Sequence, residues 1–321
     1  MTAAGLDVVS VGEPMIEFNQ VPGDPQRYLQ GFGGDTMNAM IAAVRQGARA
    51  GYVTRLGDDE FGQLLLELWK TEQLDSAGVS LDPEAPTAVY FVTHGPEGHA
   101  FSYRRTGSAA SRLAPGNLPL EVIRTARFLH TSGITQGIST SACDAAFAAI
   151  DSARASGARF AYDSNLRLKL WPLARAQAVI TTTVALADYF LPSLDDACVL
   201  SGLDDPEAIV DWAHRLGARH VALKLGPGGV IASDGERREH VPGHRIECVD
   251  ATGAGDCFAG SLLARMSLGD DFWQAVRYAN AAAALTCTGY GAVAPLPTPH
   301  AVASLLHTGE PGRAFVKPRN G

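Results

Sequence analysis

Residues 249–266, VDATGAGDCFAGSLLARM, hold the densest chemistry in the chain. Small residues at Thr252, Gly253, Ala254 and Gly255 lead into apolar side chains at Phe258, Leu262, Leu263 and Met266, a helical period. The pattern predicts a strand end that turns through glycines into a helix. The N–H groups of Gly253, Ala254, Gly255 and Asp256 would point outward there and, with the helix dipole, form an anion site. Asp256 falls in the first helical turn, where a carboxylate stabilises the helix end. Beside an anion cradle, it can also accept a proton from a hydroxyl that attacks phosphorus. Cys257, next to it, is expected in the core.

A second cluster is GGDTMNAM, residues 33–40. Gly33 and Gly34 allow close backbone approach or positive φ. Asp35 and Asn38 offer a carboxylate and an amide to hydroxyl groups, although Asp35 or Thr36 can equally serve as the cap of the following helix. Asp58 and Asp59 in RLGDDEFG, residues 55–62, read as a solvated turn rather than a metal site. KLGPGG, residues 224–229, is a tight turn after a strand, and Lys224 there can meet phosphate or extend along the surface. Arg167 lies in DSNLRLKLW, in a loop after a strand. Asn280 lies on a helix in YANAAAAL, and Cys143, Cys198, Cys248 and Cys287 form no metal-binding spacing.

These groups need a scaffold, and the hydrophobic pattern supplies one. Strands are expected at 6–11, 50–56, 128–132, 159–163, 189–191 and 220–225. Helices are expected at 37–46, 60–72, 141–156, 174–187 and 207–216. Strands alternating with helices of this length imply a parallel sheet covered on both faces. Gly47, Gly157 and Gly217 stand where helices end. Residues 87–94 and 100–106 instead read as an antiparallel hairpin around GPEG. With an early segment near 16–29, the hairpin would make a small lid. Alternation puts Tyr90 on one face of its strand, and Phe101, Tyr103 and Arg105 on one face of the other, with Arg104 turned away. Arg105 and Arg167 converging on one pocket suit a permanently negative ligand, because a guanidinium fork binds both oxygens of a carboxylate. A neutral ligand would leave both desolvated and poorly paired.

The chain has 321 residues, 46% hydrophobic and 19% charged, with a formal net charge of −8. That excludes a disordered chain and disfavours a nucleic-acid binder. No apolar run is long enough for a membrane span and no secretory leader is visible, so a cytoplasmic protein with reduced thiols is expected. The last residues, 308–321, read as a frayed tail on a single domain spanning 1–321.

Together, DATGAGDCFAG, GGDTMNAM and RLGDDEFG resemble the two signatures of the ribokinase-like (PfkB-type) carbohydrate kinase family, and the resemblance covers nearly the whole chain. It implies a three-layer α/β/α sandwich with a mostly parallel central sheet and a small β-sheet lid, formed by about 14–31 and 87–106. It implies ATP and Mg2+, with a monovalent cation as an open question. Asp256 would be the catalytic base, Gly253, Ala254 and Gly255 the anion hole, and Gly33, Gly34, Asp35 and Asn38 the sugar contacts. Lys224, Leu225, Gly226, Gly228, Gly229 and Asn280 would lie near ATP, as would Gly253 and Gly255. PSLDDA, residues 192–197, departs from the family pattern, which has Asn at Ser193 and Glu at Asp196. Asp196 keeps a carboxylate for a magnesium-bound water, and Ser193 a hydroxyl for the nucleotide. The combination further resembles kinases of 2-keto-3-deoxygluconate, whose pattern implies substrate contacts at Tyr90, Tyr103, Arg105 and Arg167 and nucleotide proximity at Asn165 and Ser193. The expected reaction is phosphorylation of that sugar acid at O6. A kinase of a neutral sugar and a non-catalytic sugar- or nucleotide-binding protein are the alternatives. Pairing of two copies through the lid is also expected.

Overall fold

The structure is a computed structural model and describes residues 5–308 except Pro22, Pro96 and Glu97. The expected tail, apart from Thr308, and the centre of the expected GPEG turn lie outside the described residues. Thirteen strands are present among those residues: β1 (Val8–Val11), β2 (Met15–Val21), β3 (Asp24–Gly33), β4 (Ala50–Gly57), β5 (Asp75–Asp82), β6 (Val89–Gly95), β7 (Gly98–Arg104), β8 (Phe128–Ser132), β9 (Arg159–Asp163), β10 (Tyr189–Phe190), β11 (His220–Lys224), β12 (Val230–Ser233) and β13 (Arg238–Val241). The helices are α1 (Asp35–Arg45), α2 (Glu60–Glu72), α3 (Leu120–Arg124), α4 (Gly133–Gly137), α5 (Thr140–Ala155), α6 (Leu173–Val184), α7 (Leu194–Ser201), α8 (Pro206–Leu216), α9 (Ala254–Ser267), α10 (Phe272–Thr286) and α11 (Pro299–Thr308).

Nine strands form the main sheet in the order β13-β12-β11-β10-β9-β8-β1-β4-β5. Seven of them pair in parallel, and β12 and β13 add an antiparallel edge. Strand β1, VVSV, is buried throughout, as a central parallel strand covered on both faces must be. One hydrophobic core packs α1, α2, α9, α10 and α11 against one face. A second packs α5, α6 and α8 against the other. From β1 the chain first builds outward through β4 and β5, then returns to β8 on the opposite side. Ligand crevices in such sheets open at this reversal, beyond the carboxyl ends of the strands.

The second sheet has the order β3-β2-β6-β7. Strands β6 and β7 pair antiparallel with Tyr90 opposite Tyr103, and β2 lies parallel to β6. Met15, Ala88, Tyr90 and Val92 form their own small apolar cluster, with Tyr103 against it.

Several boundaries differ from the pattern-based expectation. Helix α1 starts at Asp35, because Gly34 takes φ 119° and serves as the cap. A Cβ at Gly34 would meet the Glu13 carbonyl at 2.4 Å. Helix α6 ends at Val184 rather than 187. No strand leads into α9: residues 242–253 are irregular after β13. Strand β5, DSAGVSLD, carries too little β-branched content to announce itself, yet it pairs with β4 as the sheet edge. Gly47, Gly157 and Gly217 do stand at helix ends with φ of 95°, 86° and 117°. Asp59 is more than a solvated turn. Its Oδ1 caps α2 by accepting from Gly62 N at 2.8 Å, and its Oδ2 accepts from Thr87 N at 2.7 Å.

Candidate active site

Helix α9 opens the site. Its cap is Gly253 at φ 79°, no side chain caps it, and Asp256 stands in its first turn. The N–H of Ala254 is taken by the Ala251 carbonyl at 3.2 Å, so of the expected donors that one is turned back into the loop. The next two amides begin the helix at its positive end, where no preceding turn can accept from them. Lys224, at the end of β11, sits directly above. An added Cβ on Gly255 would lie 3.2 Å from Lys224 Nζ, so glycine is what lets the ammonium approach the helix mouth. Lys224 Nζ is held there by Asp163 Oδ2 at 2.6 Å.

The Asp256 carboxylate is enclosed by charge. Its Oδ2 accepts from Asn38 Nδ2 at 2.8 Å, which ties α9 to α1. Burial pushes its pKa up to about 7, and Asp35 and Asp163 add like-charge repulsion, partly offset by Asn38 and Lys224. Although its side chain keeps some solvent contact, dense packing around the carboxylate sets the value. A carboxylate with a pKa near 7 is matched to taking a proton at neutral pH. Asp35 is not a cap, because Gly34 holds that position. Its Oδ2 instead accepts from Asn165 Nδ2 at 2.8 Å, while Oδ1 is buried without a partner. Asn38 Oδ1 is likewise buried and unpartnered. Hydrogen bonds thus join Asp35, Asn165, Asp163 and Lys224 into one group, and Asn38 with Asp256 into another whose charge the first group feels.

Asn165 takes φ 28°, and its backbone N donates to Asp163 Oδ1 at 3.1 Å. Its amide is spent on Asp35, which places it on the α1 side rather than beside a nucleotide alone. Two residues on, Arg167 is exposed and donates only to the Leu166 carbonyl at 2.9 Å, with no carboxylate partner among the described residues.

The small sheet faces this cluster with Tyr90, Tyr103 and Arg105. The two tyrosine rings stack with centroids 5.8 Å apart, and the Arg105 guanidinium lies 5.5 Å from the Tyr103 ring centre. Tyr90 is buried and its hydroxyl donates to Glu17. A side chain at Gly33 would strike that ring, with an added Cβ 2.3 Å from Tyr90 Oη. Arg105 pairs with Glu13, whose side chain is fully buried just beyond β1. This corrects the expectation that both arginines await a substrate anion: Arg105 already has a counter-charge inside the protein, whereas Arg167 forms no ion pair among the described residues. Arg104 is exposed and turned away, as alternation requires.

Other expected positions serve the scaffold. Ser193 caps α7, its Oγ accepting from Asp196 N at 3.2 Å. Asp196 Oδ2 accepts from Leu166 N at 3.0 Å and from Ser164 Oγ at 3.3 Å, and burial raises its pKa. It therefore pins the loop that carries Asn165 and Arg167. Asn280 is buried and donates to the Pro242 carbonyl at 2.8 Å, so it fixes the loop after β13. Gly226 and Gly228 are exposed on the β11–β12 turn beside Leu225. Gly229 is buried, and an added Cβ would lie 2.0 Å from the Val241 carbonyl, a packing requirement. No group of three His, Cys, Asp or Glu side chains suited to a metal occurs among the described residues. Burial pushes the Cys257 thiol up to about 11, so it is inert.

Pattern reading missed Glu13, Glu17 and Ser108, and quoted Asp163 only within the Asp163-x-Asn165-x-Arg167 motif without a role of its own. Glu13 and Asp163 carried a signal: Glu13 stands just beyond β1 at the sheet reversal, and Asp163 ends β9, on the far side of β8, at the same carboxyl edge of the sheet. His130 was also missed. It is buried on β8, pushed down to about 4 by burial, with Nδ1 2.9 Å from Ser10 Oγ.

Comparison with known proteins adds to this geometry. A family model for pfkB family carbohydrate kinases matches residues 6–299. The chain is 34% identical over 312 residues to a 2-dehydro-3-deoxygluconokinase of Thermoproteus tenax, covering 94% of this chain and 95% of the relative. It is 34% identical over 330 residues to a fructokinase of Solanum habrochaites, covering 96% and 98%. It is also similar to aminoimidazole riboside kinase from Salmonella enterica, solved with aminoimidazole riboside and an ATP analog. That likeness has a TM-score of 0.84 and 27% identity over 94% of this chain and 100% of the other. No helix among the described residues is long and apolar enough to cross a membrane.

Proposed function

The chain belongs to the pfkB family of carbohydrate kinases, and within it we propose that it transfers the γ-phosphoryl group of ATP to O6 of 2-keto-3-deoxy-D-gluconate. The reading of the reaction rests on one arrangement: Asp256 at the mouth of α9, oriented by Asn38, with Lys224 over Gly255 beside it.

Asp256 accepts the proton of O6 as the oxygen attacks. The amides of Gly255 and Asp256 receive phosphoryl oxygens, with Gly253 and Ala254 shaping the cradle. Lys224 supplies fixed positive charge to the same oxygens, and positioning carries much of the remaining rate. Asp35 and Asn38 offer their unpartnered oxygens to sugar hydroxyls. Mg2+ bound with ATP would supply positive charge against the β and γ phosphates. The described residues offer no cage for the ion, and Asp196, with one oxygen already engaged, fits only contact through water. The small sheet closes over the sugar as a lid and excludes water from the phosphoryl group.

The sugar acid is favoured by Arg167, an exposed guanidinium that forms no ion pair among the described residues, on the loop that also carries Asn165. A neutral sugar is the second reading. It is favoured by the Glu13–Arg105 pair, which removes one of the two charges a carboxylate would seek, and by fructokinases that match as closely as the sugar-acid kinase. ADP release measured in parallel with 2-keto-3-deoxygluconate, fructose and ribose separates the two. A kcat/KM at least tenfold higher for the sugar acid is expected. Equal or better turnover of fructose would replace the first reading by the second, and ADP release dependent on no sugar would end both.

A further inference from the structure

The two arginines assigned to the sugar site under the proposed function are in different electrical states. Arg105 lies in a buried ion pair, its side chain 9% exposed, and its Nε has no partner. Glu13 across from it is fixed a second time, because its Oε1 accepts from Ser108 Oγ at 2.5 Å. Ser108 in turn begins the short turn after β7, so Glu13 binds both the root of Arg105 and the segment that follows it. Arg167 has no such anchor and faces water. Burial raises the Glu13 pKa, Arg105 and Ser108 oppose that by favouring the ionised form, and Asp35 is close enough to add a smaller like-charge push upward. Its free Oδ1 belongs to the same wall.

We propose that Glu13 is a positioning residue that sets the charge preference of the sugar site. By holding Arg105 and cancelling its charge, it leaves Arg167 as the cation that answers a substrate carboxylate. Arg105 then acts as a hydrogen-bond donor of fixed direction, indifferent to whether the sugar carries charge. The pocket is thereby balanced for at most one substrate anion, and a neutral sugar leaves only a water-exposed guanidinium unanswered, at little cost. The choice of test ligand rests on the sugar-acid reading, but the geometry does not.

The test is Glu13→Gln in the full chain, a replacement of nearly equal shape whose single amide oxygen keeps the contact with Ser108 and whose NH2 then faces Arg105 in place of the counter-charge. Titration calorimetry gives the Kd for 2-keto-3-deoxygluconate, and ADP release gives KM and kcat for the acid and for fructose. Releasing Arg105 from its counter-charge should tighten the Kd for the acid at least fivefold and leave the KM for fructose unlowered. A change shared equally by both sugars, or an acid Kd within twofold of wild type, overturns the proposal, since a purely structural role moves both alike. If Glu13→Gln does not fold, Arg105→Gln is compared with the double variant Glu13→Gln/Arg105→Gln. Removing the stranded carboxylate should restore acid binding at least fivefold over Arg105→Gln, and no restoration overturns the proposal. A wild type that binds the acid without phosphorylating it ends the sugar-acid reading, while the Kd comparison still decides the role of Glu13.

Discussion

Replacing Asp256 with Asn should make the protein slower and more stable at once. Asn keeps an oxygen to accept from Asn38 Nδ2, now 2.8 Å away, so the α1–α9 link survives. The general base is lost, which costs kcat about 10²–10⁴-fold. Stability moves the other way. Burial raises this carboxyl from 3.8 to about 7, with Asp35 as the next cause. Each pH unit between folded and unfolded pKa is worth about 1.4 kcal/mol, which sets a ceiling of about 4 kcal/mol for the cost of ionising Asp256 in the folded protein. Partial solvent contact trims that, and a gain of about 2–3 kcal/mol at pH 8 is expected for the variant. The sign follows from proton counting. Between pH 4 and 7 the folded state binds more protons at this site than the unfolded state, so wild-type stability falls as pH rises and levels off above 7. Urea melts of both proteins at pH 4.5, 6 and 8 measure the difference, which should shrink towards zero at the acid end. A variant no more stable than wild type at pH 8, or with kcat within tenfold of it, would refute the placement of a strained carboxylate at the helix mouth.

Three further outcomes follow from the same contacts. The kcat/KM of the wild type should rise about tenfold per pH unit below 7 and flatten above it, because the base must be ionised; Asn38→Ala, which removes the hydrogen bond that favours the ionised form, should move that limb upward. Arg167→Ala should raise the KM for the sugar acid about 10–100-fold and leave fructose nearly untouched, since Arg167 forms no ion pair among the described residues; equal effects on both sugars would show that it does not bind the acid's carboxylate. Gly260→Ala should destabilise the fold by about 1–3 kcal/mol and lower kcat. An added Cβ at Gly260 would lie 1.9 Å from the Ala39 carbonyl and force α9 away from α1; a variant of wild-type Tm and kcat would contradict this.

The parts of the site written in contiguous residues were legible in the chain. The Gly-rich entry to α9 with Asp256, the glycine pair before α1 and the alternating Tyr90, Tyr103 and Arg105 depend on local conformation and side-chain period alone. What was not legible depends on partners far apart in sequence. Glu13 meets Ser108 across 95 residues, Tyr90 meets Glu17 across 73, and Lys224 meets Asp163 across 61. No local pattern announces such pairs; only the rule that acids at strand ends crowd the sheet reversal points to them. Ser193 and Asn280 show the converse. Both are polar and suitably spaced, yet their visible partners are a helix amide and a loop carbonyl, duties that look identical to ligand contacts in one dimension. The irregular lead into α9 escaped because residues 242–253 are positioned by contacts such as Asn280 with Pro242 rather than by a sheet.

The crossing of α1 and α9 at Gly260 has a consequence for how this scaffold can diversify. Backbone touches backbone there, so Asn38 and Asp256 are registered without an adjustable side chain between them. The aromatic and cationic groups of the small sheet are attached elsewhere, through strands that share no ladder with the main sheet. The stacked wall of Tyr90 and Tyr103 is consequently a separable inheritance: exchanging the four outer strands would alter that wall while the acid's alignment with its amide neighbour, and the placement of Glu13 and Arg167 on the main-sheet side, stay locked.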